Sequence, residues 1–288
     1  MRRTVALIAV PFDVDKSGVG MGEAPGVLRA AGLLAKLAGA GVLVSREVSI
    51  EEDPGSGDTV ARLGTLQSRV ANAVFSAVAE GLTPVIIGGD CCNAIGMWSG
   101  LSHGQPQTAL HVAWFDAHGD WNTEETSGTG YLGGMPYAVI CGHGNARLKE
   151  LAGLMAPAPT DRCILVGARD LDPGEAELLK RTSVRIVPPL ELPRAGTAPF
   201  GEPRTARELY LHFDIDVLDL AEAPGVTYPS PGGVRSADAI RYCRHLIASM
   251  PLAGLTLAAV NPSKDSSSRT VETAIRLLAG VLGESVIH

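Results

Sequence analysis

Short runs of apolar residues alternate along the chain with stretches in which apolar positions recur at helical spacing. Most of the apolar runs carry few polar positions, which is typical of strands buried on both faces of a sheet. The pattern predicts strands at Val5–Val10, Val42–Val48, Thr83–Ile87, Ala109–Phe115, Cys163–Gly167, Val184–Val187, Glu208–Phe213 and Gly254–Val260. It predicts helices at Pro25–Ala40, Asp58–Glu80, Asn145–Leu154, Gly174–Arg181, Ser236–Ser249 and Ser268–Leu282.

Strands and helices that take turns favour a parallel sheet with helices on both faces. The sequence therefore predicts an α/β fold of three layers, with a central, mainly parallel sheet of about eight strands. No linker is long enough to divide the chain, so we expect a single domain over residues 1–288. The stretch Leu192–Pro203, rich in proline and glycine, is expected to be a surface loop.

Polar clusters follow the predicted strands at the points where the strands end. In open α/β sheets, ligands bind outside the carboxyl ends of the strands, so we expect these clusters to converge. The clusters are Gly88–Cys91, Asp116–Asp120, Arg169–Asp172, Asp214–Asp219 and Asn261.

Two of these clusters have side chains spaced for a metal site. Residues two apart on a strand share a face, so Asp116 projects with His118. By the same spacing, Asp214 projects with Asp216. Carboxylates held close together repel one another unless a cation lies between them, and oxygen and nitrogen ligands suit Mn²⁺, Mg²⁺ or Zn²⁺. Two bridged ions generate hydroxide at neutral pH, which predicts hydrolysis of a C–N or similar bond.

The composition narrows the possible partners. Of the 288 residues, 45% are hydrophobic, and the formal net charge of −7 argues against nucleic acid or an anionic membrane as the main partner. No apolar run approaches the roughly 20 residues that cross a bilayer, and the first residues lack the cleavage pattern of a signal peptide. The five cysteines have no framework spacing, so we expect free thiols in a reducing cytoplasm.

The strand-end motifs occur in an order that resembles the ureohydrolases, the family of arginase, agmatinase, formiminoglutamase and guanidinobutyrase. The resemblance extends over nearly the whole chain and rests on Gly22–Leu33, Gly88–Asp90, Asp116–Thr123, Gly167–Glu175, Phe213–Asp219 and Val260–Pro262. It implies the arginase/deacetylase-like fold and a hydrolase that acts on a C–N bond of a guanidino-, hydroxyguanidino- or related amidine-like small molecule. The family commonly forms trimers or hexamers, so the resemblance also implies a homo-oligomer.

The resemblance further implies two Mn²⁺ sites that share two carboxylates. The implied first site consists of Cys91, Asp116, Asp120 and Asp214. The implied second site consists of Asp116, His118, Asp214 and Asp216. The bridging hydroxide would attack the amidine carbon, with Asp116, His118 and Asp214 as the catalytic set. The family has histidine where this chain has Cys91, and a thiolate also suits Zn²⁺.

Two further departures from the family concern the substrate. Arginases have a proton-shuttling histidine at the position of Gly133 and a guanidinium-binding glutamate at the position of Ala259. Cys91, Gly133 and the motif Thr129–Met135 are most similar to the hydroxyarginine-hydrolysing branch of the family, whose less basic leaving group needs less help from an acid. That branch keeps the glutamate that Ala259 replaces, so the exact substrate stays open.

Four positions match substrate contacts of the family. Asp172 matches the residue that contacts the α-amino group of the substrate, which is consistent with an amino-acid-like compound. Asn122, Thr129 and Tyr228 match contacts with the other end of the substrate.

Other polar residues carry weaker assignments. His143 follows a glycine-rich loop and is a candidate replacement for the lost acid. Glu272 and Asp265 are candidate replacements for the lost glutamate. His111 and His212 lie inside predicted strands and are expected to be hydrogen-bonded core residues.

Two alternatives to the binuclear hydrolase stay open from the sequence. Metal-dependent deacetylases share this fold and hold one Zn²⁺. A single-zinc amide hydrolase would therefore use Asp116, His118 and either Asp214 or Asp216 as its ligands. The other alternative is a catalytically inactive protein that keeps the metal, which the missing histidine and glutamate allow.

Overall fold

An eight-stranded parallel sheet lies at the centre of the fold. The computed structural model describes residues 3–14, 16–52, 57–104, 110–194 and 208–283. In chain order the strands are β1 (Thr4–Val10), β2 (Phe12–Asp13), β3 (Lys16–Ser17), β4 (Leu43–Ser49), β5 (Thr83–Gly88), β6 (Leu110–Phe115), β7 (Cys163–Val166), β8 (Arg185–Val187), β9 (Glu208–Asp214) and β10 (Leu252–Ala258). Strands β2 and β3 form an antiparallel pair, and the other eight form one sheet in the order β4-β1-β5-β10-β9-β6-β7-β8. Every neighbouring pair in the large sheet is parallel.

Helices cover both faces of the sheet and make the fold three-layered. They are α1 (Ala24–Ala30), α2 (Leu33–Gly39), α3 (Thr59–Ala79), α4 (Asn93–Gly104), α5 (Pro136–Ile140), α6 (Ala146–Leu151), α7 (Pro173–Leu179), α8 (Ser236–Ser249) and α9 (Arg269–Leu282). Helices α1, α2, α8 and α9 pack on one face, and α3 to α6 pack on the other, so that each face has its own buried apolar cluster. Among the described helices, none is both long and apolar enough to cross a membrane.

The predicted three-layer α/β fold with a parallel eight-stranded sheet is confirmed. The predicted helix Pro25–Ala40 is instead two helices, because Gly32 takes a φ of +94°, a left-handed conformation that breaks the helix between them. The sequence pattern also misses α4, because this helix is buried on nearly every side and has no amphipathic period. Ala109 and most of the expected loop at Leu192–Pro203 lie outside the described residues.

Two glycines let α4 pack closely against α3. Gly96 and Gly100 lie one turn apart on the face of α4 that meets α3. A Cβ atom at Gly100 would lie 2.5 Å from the carbonyl oxygen of Ala71 and 2.6 Å from Val74 Cβ. The close approach fixes the start of α4, which follows almost directly on Cys91. The packing of α3 against α4 therefore helps to position Cys91, which lies between β5 and α4 at the candidate metal centre.

Gly100→Ala is expected to lower the free energy of unfolding by about 2–3 kcal/mol, because α3 and α4 must separate to admit the methyl group. Urea unfolding followed by circular dichroism measures this loss. Gly26→Ala is the matched control, since Gly26 is exposed in α1 and a Cβ there meets nothing within 4 Å. The control should gain about 0.5 kcal/mol from helix propensity. Equal stability of Gly100→Ala and the unsubstituted protein would contradict the close packing.

Candidate metal centre

The carboxyl ends of neighbouring strands surround one cavity, as the strand-end clusters predict. Strands β5, β10, β9 and β6 lie side by side, and the segments that follow them contribute to its wall. The cavity has a volume of about 400 Å³. Its wall includes Cys91, His118, Asp120, Asn122, Thr129, Asp172, Asp214, Asp216 and Tyr228 from the predicted site. The remaining predicted residue, Asp116, is 1% exposed and adjoins the wall through His118.

Asp116 is held by the residues on either side of it. Its Oδ2 atom accepts a hydrogen bond of 3.0 Å from Trp114 Nε1, and its Oδ1 atom accepts one of 2.7 Å from the backbone N–H of His118. The ring nitrogen Nδ1 of His118 lies 3.4 Å from Asp116 Oδ1 and 3.0 Å from Asp216 Oδ2. Burial opposes the charged imidazolium, but the bonds to Asp116 and Asp216 and the charges of both raise the pKa of His118 to about 12.

The carboxylates at and just after the end of β9 are fixed in the same way. The backbone N–H of Asp216 donates to Asp214 Oδ1 at 2.7 Å, and the backbone N–H of Ala117 donates to Asp216 Oδ1 at 3.1 Å. The thiol of Cys91 donates to the other oxygen of Asp214 at 3.0 Å. Cys91 therefore contacts a carboxylate that the family resemblance assigns to both metal sites.

Asp120 brings an unpaired oxygen to the cluster. Its Oδ2 atom is buried and has no hydrogen-bond partner among the described residues. Burial, followed by the charges of Asp116 and Asp214, raises the pKa of Asp120 well above its usual range. A buried carboxylate oxygen without a partner is costly, and a cation in contact with it would remove that cost.

The electrostatics of the cluster fit a divalent cation. Burial and the charge of Asp216 raise the pKa of Asp116 to about 6. Burial and the same neighbouring charge raise the pKa of Asp214 well above its usual range. These carboxylates oppose one another's ionisation, and positive charge placed among them would favour the ionised forms. The donor set of oxygens, nitrogen and sulfur suits Mn²⁺ or Zn²⁺.

Two groups of side chains in the described part of the chain have ligand atoms close enough to share an ion. The first group is Asp116, His118 and Asp216, and the second is Cys91, Asp116 and His212. In each group the ligand atoms lie within 4.8 Å of one another. Asp116 belongs to both groups, as a residue that bridges two ions would.

His212 is the site neighbour that the sequence pattern misses. Its position inside an apolar run suggests a core residue, and it is indeed fully buried. Burial lowers the pKa of His212 to about 3, so its imidazole is neutral. The signal available in the sequence is spacing, because His212 precedes Asp214 by two residues and shares its face of β9.

The predicted substrate residues lie on the outer wall of the cavity. Asn122 Nδ2 donates to Asp172 Oδ2 at 2.9 Å. Asp172 also caps α7 in a capping box with Glu175. The buried Glu175 accepts a 2.7 Å hydrogen bond from the backbone N–H of Trp121, and burial raises its pKa to about 7. Tyr228 is 49% exposed at the cavity mouth.

Tyr131 occupies the space that a side chain at position 133 would need. A Cβ atom at Gly133 would lie only 2.6 Å from the Tyr131 hydroxyl oxygen and would overlap its ring. Both residues line the cavity. The place that arginases give to an imidazole therefore holds a phenol in this chain.

Three weaker assignments find no support in the cavity. His143 is exposed, packs against Trp121 with ring centroids 5.7 Å apart, and is not in the wall. Asp265 is buried elsewhere, where it accepts a hydrogen bond from the backbone N–H of Val271 at 2.9 Å. Glu272 is exposed on α9. Ala259 does line the cavity, so no carboxylate among these takes the position of the lost glutamate.

Comparison with known proteins agrees with this geometry. A profile of the arginase family matches residues 3–283. The arginase of Brevibacillus brevis is 30% identical over 305 residues that cover 100% of both chains. The crystal structure of Bacillus subtilis arginase has a TM-score of 0.87 at 28% identity, and the match covers 99% of this chain and 100% of that one. The arginase structure from Bacillus caldovelox has a TM-score of 0.87 at 27% identity and covers 100% of both. Because the family profile matches nearly the whole chain and a 30% identical arginase is matched over its full length, the chain belongs to the arginase family.

Proposed function

We propose that this arginase-family hydrolase uses two divalent cations to cleave a C–N bond of a guanidino-, hydroxyguanidino- or related amidine-like compound. The observation that carries the proposal is the presence of Asp116 in both groups of candidate ligands. A carboxylate common to two groups is what a bridged pair of ions requires. The unpaired Oδ2 of Asp120 supports the same assignment, because it needs a positively charged partner.

The cations would be held by the residues that the family resemblance selects. The first site would use Cys91, Asp116, Asp120 and Asp214, and the second would use Asp116, His118, Asp214 and Asp216. The oxygen-rich second site suits Mn²⁺, and the thiol of Cys91 makes Zn²⁺ an alternative at the first. When bound, such cations supply a nucleophile at neutral pH by lowering the pKa of water. Asp116, His118 and Asp214 then form the catalytic set.

Residues of the outer wall would orient the substrate. The Asp172 carboxylate is exposed at the cavity and already accepts from Asn122, so it can also bind an α-amino group. Thr129 and Tyr228 offer hydroxyl groups on the same wall. A volume of about 400 Å³ suits a ligand of amino-acid size.

The replaced positions favour a hydroxyguanidino compound within this class. Ala259 offers no charge to a guanidinium cation, and a hydroxyguanidine is less basic than a guanidine. The Tyr131 hydroxyl lines the cavity, and burial raises the pKa of Tyr131, so this group keeps its proton at neutral pH. We therefore assign to the Tyr131 hydroxyl a hydrogen bond donated to the leaving nitrogen, because its raised pKa opposes complete transfer of the proton.

We also propose the domain organisation, the cellular location, the type of partner and the assembly of the protein. Strands from near both ends of the described chain share one sheet, which supports a single domain over residues 1–288. The five cysteines are free and buried, which supports a reducing cytoplasm. The net charge of −7 supports a small-molecule partner and not nucleic acid or a membrane surface. A homo-oligomer, trimer or hexamer, follows from the family resemblance.

Metal analysis combined with turnover assays tests the proposed function. The purified chain is expected to hold two metal ions and to release ornithine-like products from guanidino or hydroxyguanidino amino acids. Asp214→Asn should lower kcat/KM by more than about 100-fold and reduce the bound metal, because it removes a shared ligand. Glu272→Gln is the control, since Glu272 is exposed on α9 and should leave both unchanged. One zinc ion per chain would support the single-zinc amide hydrolase, and full metal content without turnover would support the inactive alternative.

Tyr131→Phe is expected to lower kcat by at least about tenfold with little change in KM, because the ring stays in place and only the hydrogen-bond donor is lost. Steady-state kinetics over a range of pH measure the effect. Tyr131→Ala removes the ring as well and should also raise KM. Full kcat in Tyr131→Phe would mean that the ring only fills space beside Gly133.

In the chelator-treated, metal-free protein, the free energy of unfolding is expected to fall as pH rises. Burial raises the folded-state pKa values of Asp90 and Glu175 to about 7. A raised acid pKa gives stability that is complete below the unfolded value and lost as pH rises through the folded one. Between pH 6.5 and pH 8 the chelator-treated protein should lose on the order of 1 kcal/mol of unfolding free energy for each group. The neutral His212 acts in the opposite direction, because its contribution rises with pH through the ordinary imidazole value, and it offsets part of this loss at the lower end of the range.

Urea unfolding at the two pH values measures this loss. Added Mn²⁺ should restore more stability at pH 8 than at pH 6.5, because its ligands bind it in their ionised forms. Stability that stays level across the range without metal would contradict the raised pKa values of Asp90 and Glu175.

A further inference from the structure

His212 lies directly behind the candidate metal centre and not in an ordinary core position. Tyr210, His212 and Asp214 alternate along β9 on one face of the sheet. In the sheet, His212 pairs with Trp114 of β6 on one side and with Thr256 of β10 on the other. The imidazole is fully buried, and His212 lies two residues before Asp214 of the cluster.

The surroundings of the ring fix its plane and its tautomer. The ring stacks on Trp114 with centroids 3.7 Å apart and planes 18° apart. Tyr210 donates its hydroxyl hydrogen to Thr256 Oγ1 at 3.1 Å, and its hydroxyl oxygen lies 3.3 Å from His212 Nδ1. Because that oxygen is left to accept, the network assigns the ring hydrogen to Nδ1. The lone pair is then on Nε2.

The Nε2 atom has no protein partner in the described part of the chain, and one nitrogen of the same ring adjoins the cluster. Among the described residues Nε2 is buried and accepts no hydrogen bond. A ring nitrogen of His212, the Cys91 sulfur and a carboxylate oxygen of Asp116 lie within 4.8 Å of one another. The Cys91 thiol donates to Asp214 and so does not satisfy the imidazole. A buried lone pair beside a thiol and a carboxylate has the surroundings of a metal ligand.

We propose that His212 Nε2 is a ligand of the first metal site, where with Cys91 and Asp116 it forms a nitrogen, sulfur and oxygen set for a zinc-class divalent cation. The proposal rests on the binuclear centre proposed above and adds a ligand to it. Arginase-like motifs place a histidine where this chain has Cys91, and His212 would supply an imidazole to the same site from the neighbouring strand. Its Nδ1–H bond to Tyr210 would orient the ring and increase the basicity of Nε2, as second partners of metal-bound histidines do. Sulfur and nitrogen ligands then favour Zn²⁺ or Co²⁺ at the first site, and the oxygen-rich second site keeps its preference for Mn²⁺.

Titration of the chelator-treated full chain with Co²⁺ tests the proposal, because the optical spectrum reports the ligands of the ion. The unsubstituted chain should show thiolate charge-transfer absorption as its first site fills. His212→Gln should weaken Co²⁺ binding at that site by about tenfold or more and shift the ligand-field bands, while the second site still fills. His111→Gln is the matched control. His111 is also a buried strand histidine, but it alternates with Trp114 and so lies on the opposite face of the sheet. It should leave affinity and spectrum unchanged.

Each outcome bears on either this inference or the proposed function. Unchanged Co²⁺ affinity and spectrum in His212→Gln would overturn the inference and leave the binuclear hydrolase standing. If the chain binds only one Co²⁺ ion and that binding weakens in His212→Gln, the inference is supported and the two-metal function is overturned. Failure of the unsubstituted chain to bind Co²⁺ would overturn both.

Proton NMR of the Co²⁺-loaded, unsubstituted chain provides a second test that needs no variant at this position. A bound His212 should give a strongly shifted N–H resonance that exchanges slowly with solvent, because Nδ1 is buried against Tyr210. Tyr210→Phe should speed its exchange and retain the resonance. A Co²⁺-loaded first site without such a resonance would overturn the assignment.

Discussion

The mutual repulsion of buried carboxylates at the ends of two neighbouring strands is the constraint on which the rest of this structure depends. Asp116 directly follows β6, Asp214 ends β9, and the two strands are adjacent in the sheet. Each carboxylate is held by a backbone N–H two residues further on, at 2.7 Å in both cases. These bonds orient the oxygens without neutralising their charge, and the single imidazole of His118 cannot balance all of them. The fold therefore places ionised carboxylates in an unfavourable arrangement that a cation among them would make favourable.

Such an arrangement is tolerable because the scaffold beneath it is rigid. Phe115 and Phe213 pair in register immediately before the two aspartates, and their rings stack at 5.2 Å. The sheet is buried on both faces, so the strands cannot slip without exposing their apolar side chains. On the β5 side, the glycines of α4 allow the helix contact that fixes Cys91. Packing energy spread over the whole sheet thus offsets electrostatic strain concentrated at one edge.

The sequence predicts most of the scaffold for the same reason. Strands buried on both faces, such as β5, β6 and β10, appear as continuous apolar runs. The apolar pattern also identifies the partly exposed edge strands β4 and β8, so all eight strands of the large sheet are predicted. Helix α4 is missed because burial on nearly every side removes the periodicity on which helix prediction relies. Nine of the ten predicted site residues line the cavity, since strand ends of a parallel sheet converge by topology alone. The orientation of an individual ring is not predicted by this pattern, because it depends on side chains that meet the ring only in the folded chain. His212 is interpreted as core from its own run, and only its contacts with Trp114 and Tyr210 show that the ring plane is fixed and that Nδ1 has a partner while Nε2 has none among the described residues.

At two of the three departures from the arginase pattern, a neighbouring side chain brings a polar group to the space concerned. Gly133 has no side chain, yet the hydroxyl of Tyr131 fills the space beside it. Cys91 has no imidazole, yet that of His212 lies among the same candidate ligands. Ala259 differs, because among the described residues no carboxylate that the sequence offers as its replacement lies in the cavity wall. Under the proposed function, the cavity has metal ligands and a hydrogen-bond donor but no charge for a guanidinium, which favours a less basic substrate. The position left without a replacement is therefore the one that bears most directly on which compound the enzyme accepts.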